Sequence, residues 1–177
     1  MTFMRILCLL LAIHRPALTG PEMVAEEYQV KGAFLLNFAK FVAWPANAFK
    51  TPDDPIVICI LGQNPFGPAL ERAAQSAIAG KRSIQIHTIQ TFQQAGSCQI
   101  VFASSAERKR VRGLFDALHG EAVLSVGESE GFLAAGGMIA FKLEGEKVRI
   151  EINQQAAERA GLRISAKLLS LAQAGRR

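Results

Sequence analysis

The chain has 177 residues, of which 50% are hydrophobic and 20% are charged, and its formal net charge at pH 7 is +5. This length is enough for one domain with a real hydrophobic core, and the composition is that of an ordinary globular protein. The sequence contains no internal repeat, low-complexity segment or linker, which excludes a repeat array and a multidomain chain.

The N-terminus has the layout of a secretory signal peptide. Arg5 precedes an eight-residue apolar block, Ile6–Ile13, as in the charged and apolar regions of such peptides. A membrane-spanning helix needs roughly 20 apolar residues, so this block is too short to be one. We therefore predict that residues 1–20 are a signal peptide, removed on export to the periplasm, and that one domain covers residues 22–174. A buried N-terminal segment is the alternative.

Export would decide which cysteines remain in the protein and whether they can form a disulfide. Cys8 would leave with the signal peptide, so Cys59 and Cys98 remain in a compartment where disulfides persist. Cys59 is in the middle of a predicted strand and Cys98 is at the head of another. A bridge therefore requires a staggered register or a cysteine just outside the ladder. Two buried free thiols are the alternative.

Hydrophobic periodicity divides the chain into alternating helices and strands. The predicted helical segments are 22–43, 68–78, 106–118, a short turn at 128–137, 154–160 and 162–174. The predicted strands are 55–61, 82–89, 98–104, 122–126 and a final hairpin of 138–143 with 148–153. Strand–helix alternation followed by a hairpin predicts a single-domain α/β fold, its sheet partly parallel, with an antiparallel C-terminal hairpin and flanking helices.

The first predicted helix is unusually apolar. Phe34, Phe38 and Phe41 recur at helical spacing, and Trp44 follows the helix. Such a helix is buried either in its own core or in a partner protein. Aromatic side chains dominate protein interfaces, so these four residues, with Phe66 and Phe132 in loops, are candidate partner contacts. The same residues could simply form the core.

Polar side chains follow the carboxyl ends of three predicted strands. They are Asn64, the Ser104–Ser105 pair and Glu128. Open α/β sheets bind small molecules in crevices at this edge. These residues are therefore candidates for partner or ligand binding.

The sequence lacks the constellations that enzymes and metal sites need. No G-x-S-x-G elbow surrounds Ser104–Ser105, and no C-x-x-C, G-x-G-x-x-G or P-loop occurs. His87 and His119 have no partner at metal-ligand spacing. The densest basic cluster, Glu107–Arg112, is typical of a solvated helix face. We predict a protein that is not an enzyme, with no cofactor, no metal and no nucleic acid partner.

Several segments together resemble the YfiR-like family. They are "VKGAFLLNFAKFVAWP", "ICILGQNPFG", "CQIVFASS", "LSVGESEGFLAAGGMIAF", "VRIEIN" and "AGLRISAKLLSLA". The resemblance covers the chain after about residue 26. It implies a periplasmic protein that represses a membrane-bound diguanylate cyclase by binding its periplasmic sensor domain, and so lowers cyclic di-GMP and biofilm formation.

The resemblance also bears on the two cysteines. Cys59 and Cys98 match a disulfide pair of the family in motif context and separation, which implies that they are bonded. A second family disulfide lies near the segment corresponding to "GFLAAGGMIAFKLEG", which has no cysteine here. The alternative function is a small-ligand-binding periplasmic sensory module. The sequence leaves open the identity of the cyclase, any ligand, and whether the protein forms a homodimer.

Overall fold

The computed structural model of the chain describes residues 20–174. The predicted signal peptide lies outside these residues, apart from Gly20, which begins the first helix. The helices are α1 (Gly20–Phe41), α2 (Pro68–Gln75), α3 (Val111–Ala117), α4 (Gln154–Arg159) and α5 (Ala166–Ala174). The strands are β1 (Val42–Ala43), β2 (Ile56–Leu61), β3 (Ile78–Ala79), β4 (Arg82–Ile89), β5 (Ile100–Ala103), β6 (Leu124–Gly127), β7 (Ile139–Glu144), β8 (Lys147–Ile152) and β9 (Arg163–Ile164). Three 3₁₀ segments are Ala46–Ala48, Phe92–Ser97 and Ser105–Arg110.

Seven strands in this part of the chain form one mixed sheet in the order β3-β4-β2-β5-β6-β7-β8. The strands from β4 to β7 run parallel to one another. β3 and β8 pair antiparallel at the two edges, and β1 pairs with β9 in a separate small sheet. The predicted α/β fold, with a partly parallel sheet and a C-terminal hairpin, is confirmed.

Both faces of the central strands are buried, which explains why β2 is apolar along its whole length. Successive side chains of a strand point to opposite faces. Ile58 and Ile60 accordingly belong to one core, which packs against α1, whereas Cys59 and Leu61 belong to the other, which packs against α3. The sheet is thus the middle layer of three, and α1 covers one side of it.

The element boundaries differ from the sequence prediction where long-range pairing decides them. The first helix ends at Phe41 because the next two residues pair with Arg163–Ile164. The same pairing removes the start of the predicted helix 162–174. The predicted helix 106–118 begins as a 3₁₀ segment, which has a similar apolar period over one turn. No helix between residues 20 and 174 is long and apolar enough to cross a membrane.

Candidate functional site

The parallel register brings three loops to one edge of the sheet. Leu61 lies beside Ala103, and Ala103 lies beside Gly127, so β2, β5 and β6 end level with one another. Asn64, Ser104–Ser105 and Glu128, which follow these strands, therefore share the carboxyl edge. At this edge α1 crosses the loops.

Glu128 is the centre of a buried ionic cluster at this edge, which we call the Lys31 cluster (Glu27, Tyr28, Lys31, Ser105 and Glu128). Oε1 of Glu128 accepts hydrogen bonds from the backbone N–H of Ser105 and from the hydroxyl of Tyr28, each 2.8 Å long. Oε2 pairs with the ammonium of Lys31 at 2.5 Å. The same ammonium contacts the carboxylate of Glu27, one turn earlier in α1. The cluster therefore ties α1 to the loops after β5 and β6.

Because this cluster is buried, its charged side chains depend on one another for their stabilisation. The side chains of Lys31 and Glu128 are only 5% and 6% exposed, so neither charge is solvated and each depends on its partner. The ammonium also lies 4.7 Å from the centre of the Tyr28 ring, within cation–π range. Burial, reinforced by the Glu128 carboxylate, raises the pKa of Tyr28 well above its ordinary value. All these interactions are structural ties, and none resembles a nucleophile with its base.

A second carboxylate, that of Glu107, occupies the neighbouring part of the carboxyl edge, beside Gly62. Gly62 has a φ of +76°, and a Cβ there would collide with the carboxylate of Glu107. Arg110 holds that carboxylate through Oε2 at 2.7 Å and also donates to the backbone oxygen of Gln90 at 2.6 Å. Asn64 is used in its own turn, where Oδ1 accepts from the backbone N–H of Phe66 at 2.9 Å. The chain's own side chains thus occupy the predicted crevice.

Three of the aromatic candidates lie in the core. Phe38 is fully buried and stacks on Phe141, with ring centres 5.9 Å apart. Phe66 is buried against Phe102, with ring centres 5.0 Å apart. The buried ring of Phe132 occupies the space left by two glycines, Gly127 and Gly137. A role of these rings in binding a partner stays a prediction.

The other three aromatic candidates are half-buried. Phe34 lies 6.0 Å from Phe141 between ring centres, and Phe41 has the ammonium of Lys167 5.0 Å from its ring centre. Trp44 donates its indole N–H to the backbone oxygen of Gln99 at 3.2 Å. Ser104 is buried, whereas Ser105 is exposed. The structure thus brings Ser105 and Glu128 into one cluster, whereas the aromatic candidates lie on α1, directly after β1 and in two loops.

The two cysteines form a disulfide. Cys59 and Cys98 are both buried, their Cα atoms are 6.0 Å apart, and the bond closes a separation of 39 residues. Cys98 lies just before β5, so the second geometric possibility, a cysteine outside the ladder, is the one that occurs. The next residue, Gln99, accepts from the backbone N–H of Val57 at 2.9 Å and donates to the backbone oxygen of Ala48 at 3.1 Å. The disulfide thus sits in a region that is also held by a buried amide.

An open cleft of about 680 Å³ lies at the amino edge of the same strands, opposite the predicted crevice. We call it the amino-edge cleft. Its charged or hydroxyl-bearing lining residues are Lys50, Asp54, Ser97 and Glu121. Hydrogen bonds from Thr51 lower the pKa of Asp54 below its ordinary value. Sequence reasoning missed this cleft because none of these residues belongs to a recognisable motif.

Sequence reasoning also missed Tyr28 and Lys31. A lysine beside the most apolar stretch of α1 was the available signal, because a lysine there must reach either solvent or a buried partner. Its partner is 97 residues away in sequence, so the pairing itself had no local signal. Within residues 20–174, no three His, Cys, Asp or Glu side chains are grouped so that they could hold a metal ion.

Comparison with known proteins agrees with the fold. Residues 28–173 match the model of a family described as YfiR/HmsC-like. A solved structure of a conserved domain protein from Vibrio cholerae O1 biovar El Tor str. N16961 is similar, with a TM-score of 0.51 and 13% sequence identity. The match covers 84% of this chain and 58% of that one, so this chain spans little more than half the length of that protein. At this identity the similarity shows the fold alone.

Proposed function

Because the chain belongs to the YfiR/HmsC-like family, whose members are periplasmic regulators in cyclic di-GMP signalling, we propose that it represses a membrane-bound diguanylate cyclase. It would do so by binding the periplasmic sensor domain of that enzyme, and would thereby lower cyclic di-GMP and biofilm formation. The observation that carries this proposal is the family match, which covers residues 28–173.

Export to the periplasm is part of the proposal. Residues 1–20 would act as the signal peptide and be removed. The buried disulfide between Cys59 and Cys98 supports this location because such bonds persist in oxidising compartments and are rare in the cytosol.

A binding protein can repress an enzyme across a membrane only if it binds one state of the sensor domain more tightly than the other. Rigidity of the binding protein helps, because less conformational entropy is lost when the complex forms. Both the disulfide and the Lys31 cluster tie distant parts of this chain together. We therefore regard both as parts that keep the binding surface in shape, and not as the surface itself.

Deletion of the gene tests the proposal directly. Cyclic di-GMP in the cell should rise on deletion and return to its original level when the gene is supplied in trans. Purification of a tagged copy from solubilised membranes should recover a diguanylate cyclase. An unchanged level of cyclic di-GMP, under conditions where the protein is present, would contradict the proposal.

A second candidate function is a small-ligand-binding sensory module, and the amino-edge cleft favours it. The volume of about 680 Å³ is within the range of small-molecule sites. Pro45, beside the single tryptophan, Trp44, lines this cleft. Thermal unfolding and tryptophan fluorescence with a panel of amino acids, nucleotides and sugar phosphates would test it. A compound that stabilises the protein, with no cyclase recovered, would favour this second function.

A further inference from the structure

The exposed apolar side chains of the described residues are concentrated on one surface. Six large hydrophobic residues of the described part of the chain are exposed, and four of them line one groove. These four are 41% to 55% exposed and are Met23, Val24, Val30 and Leu143. Contiguous apolar surface of this kind marks interaction sites more often than scattered single residues do.

This groove, which we call the α1–hairpin groove, lies between the first half of α1 and the tip of the β7–β8 hairpin. Its volume is about 400 Å³. The hairpin wall turns through two residues, Gly145 and Glu146, and Gly145 alone has a positive φ, of +61°. A glycine at the first position of a two-residue loop is the signature of a tight type II′ turn, which fixes the strands on either side. The groove is therefore formed before any partner arrives.

The charge of the groove is opposite to that of the chain. The chain has 20 lysines and arginines against 15 acidic residues, yet the ten residues that line the groove include three glutamates and no basic residue. Glu27 is held by Lys31. Among the described residues, Glu26 and Glu146 form no ion pair. These two carboxylates are available to a cation from outside.

This combination selects among possible occupants. A second copy of the chain would bring the same acidic rim against itself, because a two-fold dimer interface pairs a patch with its own copy. An anionic membrane surface would be repelled by the same glutamates. A partner with apolar side chains flanked by lysine or arginine satisfies both the apolar floor and the acidic rim.

The geometry points to the α1–hairpin groove as the docking surface for a basic, amphipathic segment of the cyclase's periplasmic domain. This inference rests on the proposed function and deepens it by naming the surface and the chemistry of the partner. Apolar side chains of the segment contact Val24, Val30 and Leu143. Its lysines or arginines pair with Glu26 and Glu146.

The test measures binding of the exported protein to the purified periplasmic domains of the cell's own membrane diguanylate cyclases, each in turn. Two variants remove one part of the groove each. Val24→Ser with Leu143→Ser removes apolar floor, and Glu26→Lys with Glu146→Lys reverses the rim. The control for the apolar variant is Ile78→Ser, which changes an exposed apolar residue of β3, the strand at the other edge of the sheet. The control for the charge variant is Asp53→Lys with Asp116→Lys, which makes the same charge change at exposed positions outside the groove.

Each groove variant should bind the cyclase domain about ten-fold more weakly or worse, as is typical of central interface residues, whereas the controls should bind like the unaltered protein. Affinity of the unaltered protein should fall as salt is added, and reversal of the rim should remove or invert that dependence, because lysines there repel a basic segment and salt screens the repulsion. Circular dichroism and the mass in solution are measured for every variant, so that misfolding is separated from lost binding.

Three results would overturn the inference. If the unaltered protein binds a cyclase domain and the groove variants bind it equally well, this inference fails and the proposed function stands. If the unaltered protein binds no cyclase domain, both fail. If the groove variants convert a dimer into a monomer, the groove is an interface between two copies of this chain.

Discussion

Replacement of Lys31 by methionine should destabilise the protein strongly, because it removes the only cation of the Lys31 cluster and keeps a similar shape. The side chains of Lys31 and Glu128 are 5% and 6% exposed, so the Glu128 carboxylate would lose its counter-charge without gaining water. Loss of one partner of such a buried pair typically costs about 3–5 kcal/mol. Glu128 keeps its hydrogen bonds from Tyr28 and Ser105, and Glu27 is 23% exposed and can turn to solvent.

We therefore expect the lower end of that range, a loss of about 3 kcal/mol in the free energy of unfolding. For a domain of this size the midpoint of thermal unfolding should fall by roughly 6–12 °C. Addition of Glu128→Gln to Lys31→Met removes the uncompensated charge while the amide oxygen still accepts hydrogen bonds. The double variant should therefore be more stable than Lys31→Met alone.

Urea unfolding followed by tryptophan fluorescence measures these free energies, because Trp44 is the only tryptophan. Lys40→Met changes a lysine on the exposed side of the same helix and should alter stability by no more than about 0.5 kcal/mol. A loss of less than about 1 kcal/mol for Lys31→Met would refute the reasoning, since the pair would then behave like an ordinary surface ion pair. So would a double variant that is no more stable than Lys31→Met alone.

Three other predictions test different parts of the structure. Tyr28 is the only tyrosine, and its pKa is raised. At about pH 10, where free tyrosine ionises, the folded protein should therefore show no phenolate absorbance. Because only the unfolded chain ionises at that pH, the free energy of unfolding should fall as the pH rises through about 10. Reduction of the disulfide should lower the free energy of unfolding by about 4 kcal/mol in the chain-entropy model; equal urea curves with and without reductant would contradict this. Gly62→Ala should cost roughly 1–3 kcal/mol for the positive φ alone and more because Glu107 must move. Gly131→Ala, with a φ of +77° and open space around it, is the matched control, and equal losses at the two sites would show that Glu107 is not in the way.

Local sequence patterns predicted the main elements well. The alternating segment 82–89 is the strand β4 with the same bounds, and the continuous apolar run around Cys59 is a central strand with both faces buried. These predictions succeed because the period of apolar residues depends on local geometry alone. The boundaries failed where a distant strand decides them, as at Val42–Ala43, which leave the helical pattern to pair with β9.

The candidate site was predicted less completely. The sequence identified Ser105 and Glu128 as residues that follow neighbouring strands, and the register does bring them together. It could not show that Lys31, 97 residues from Glu128 in sequence, pairs with the Glu128 carboxylate. The predicted crevice is therefore occupied by the chain itself, and the open cleft lies at the other edge of the sheet.

The sequence by itself determined the class of fold, the flanking helices and the family, because each of these depends on short-range spacing or on segments that can be matched one after another. Only the tertiary structure decided which apolar residues stay exposed. Met23 and Leu143 are far apart in sequence, yet both are exposed and line the same groove, because the first half of α1 lies next to the tip of the β7–β8 hairpin. A periodic pattern fixes which face of an element is apolar, but what covers that face depends on elements that are distant in sequence.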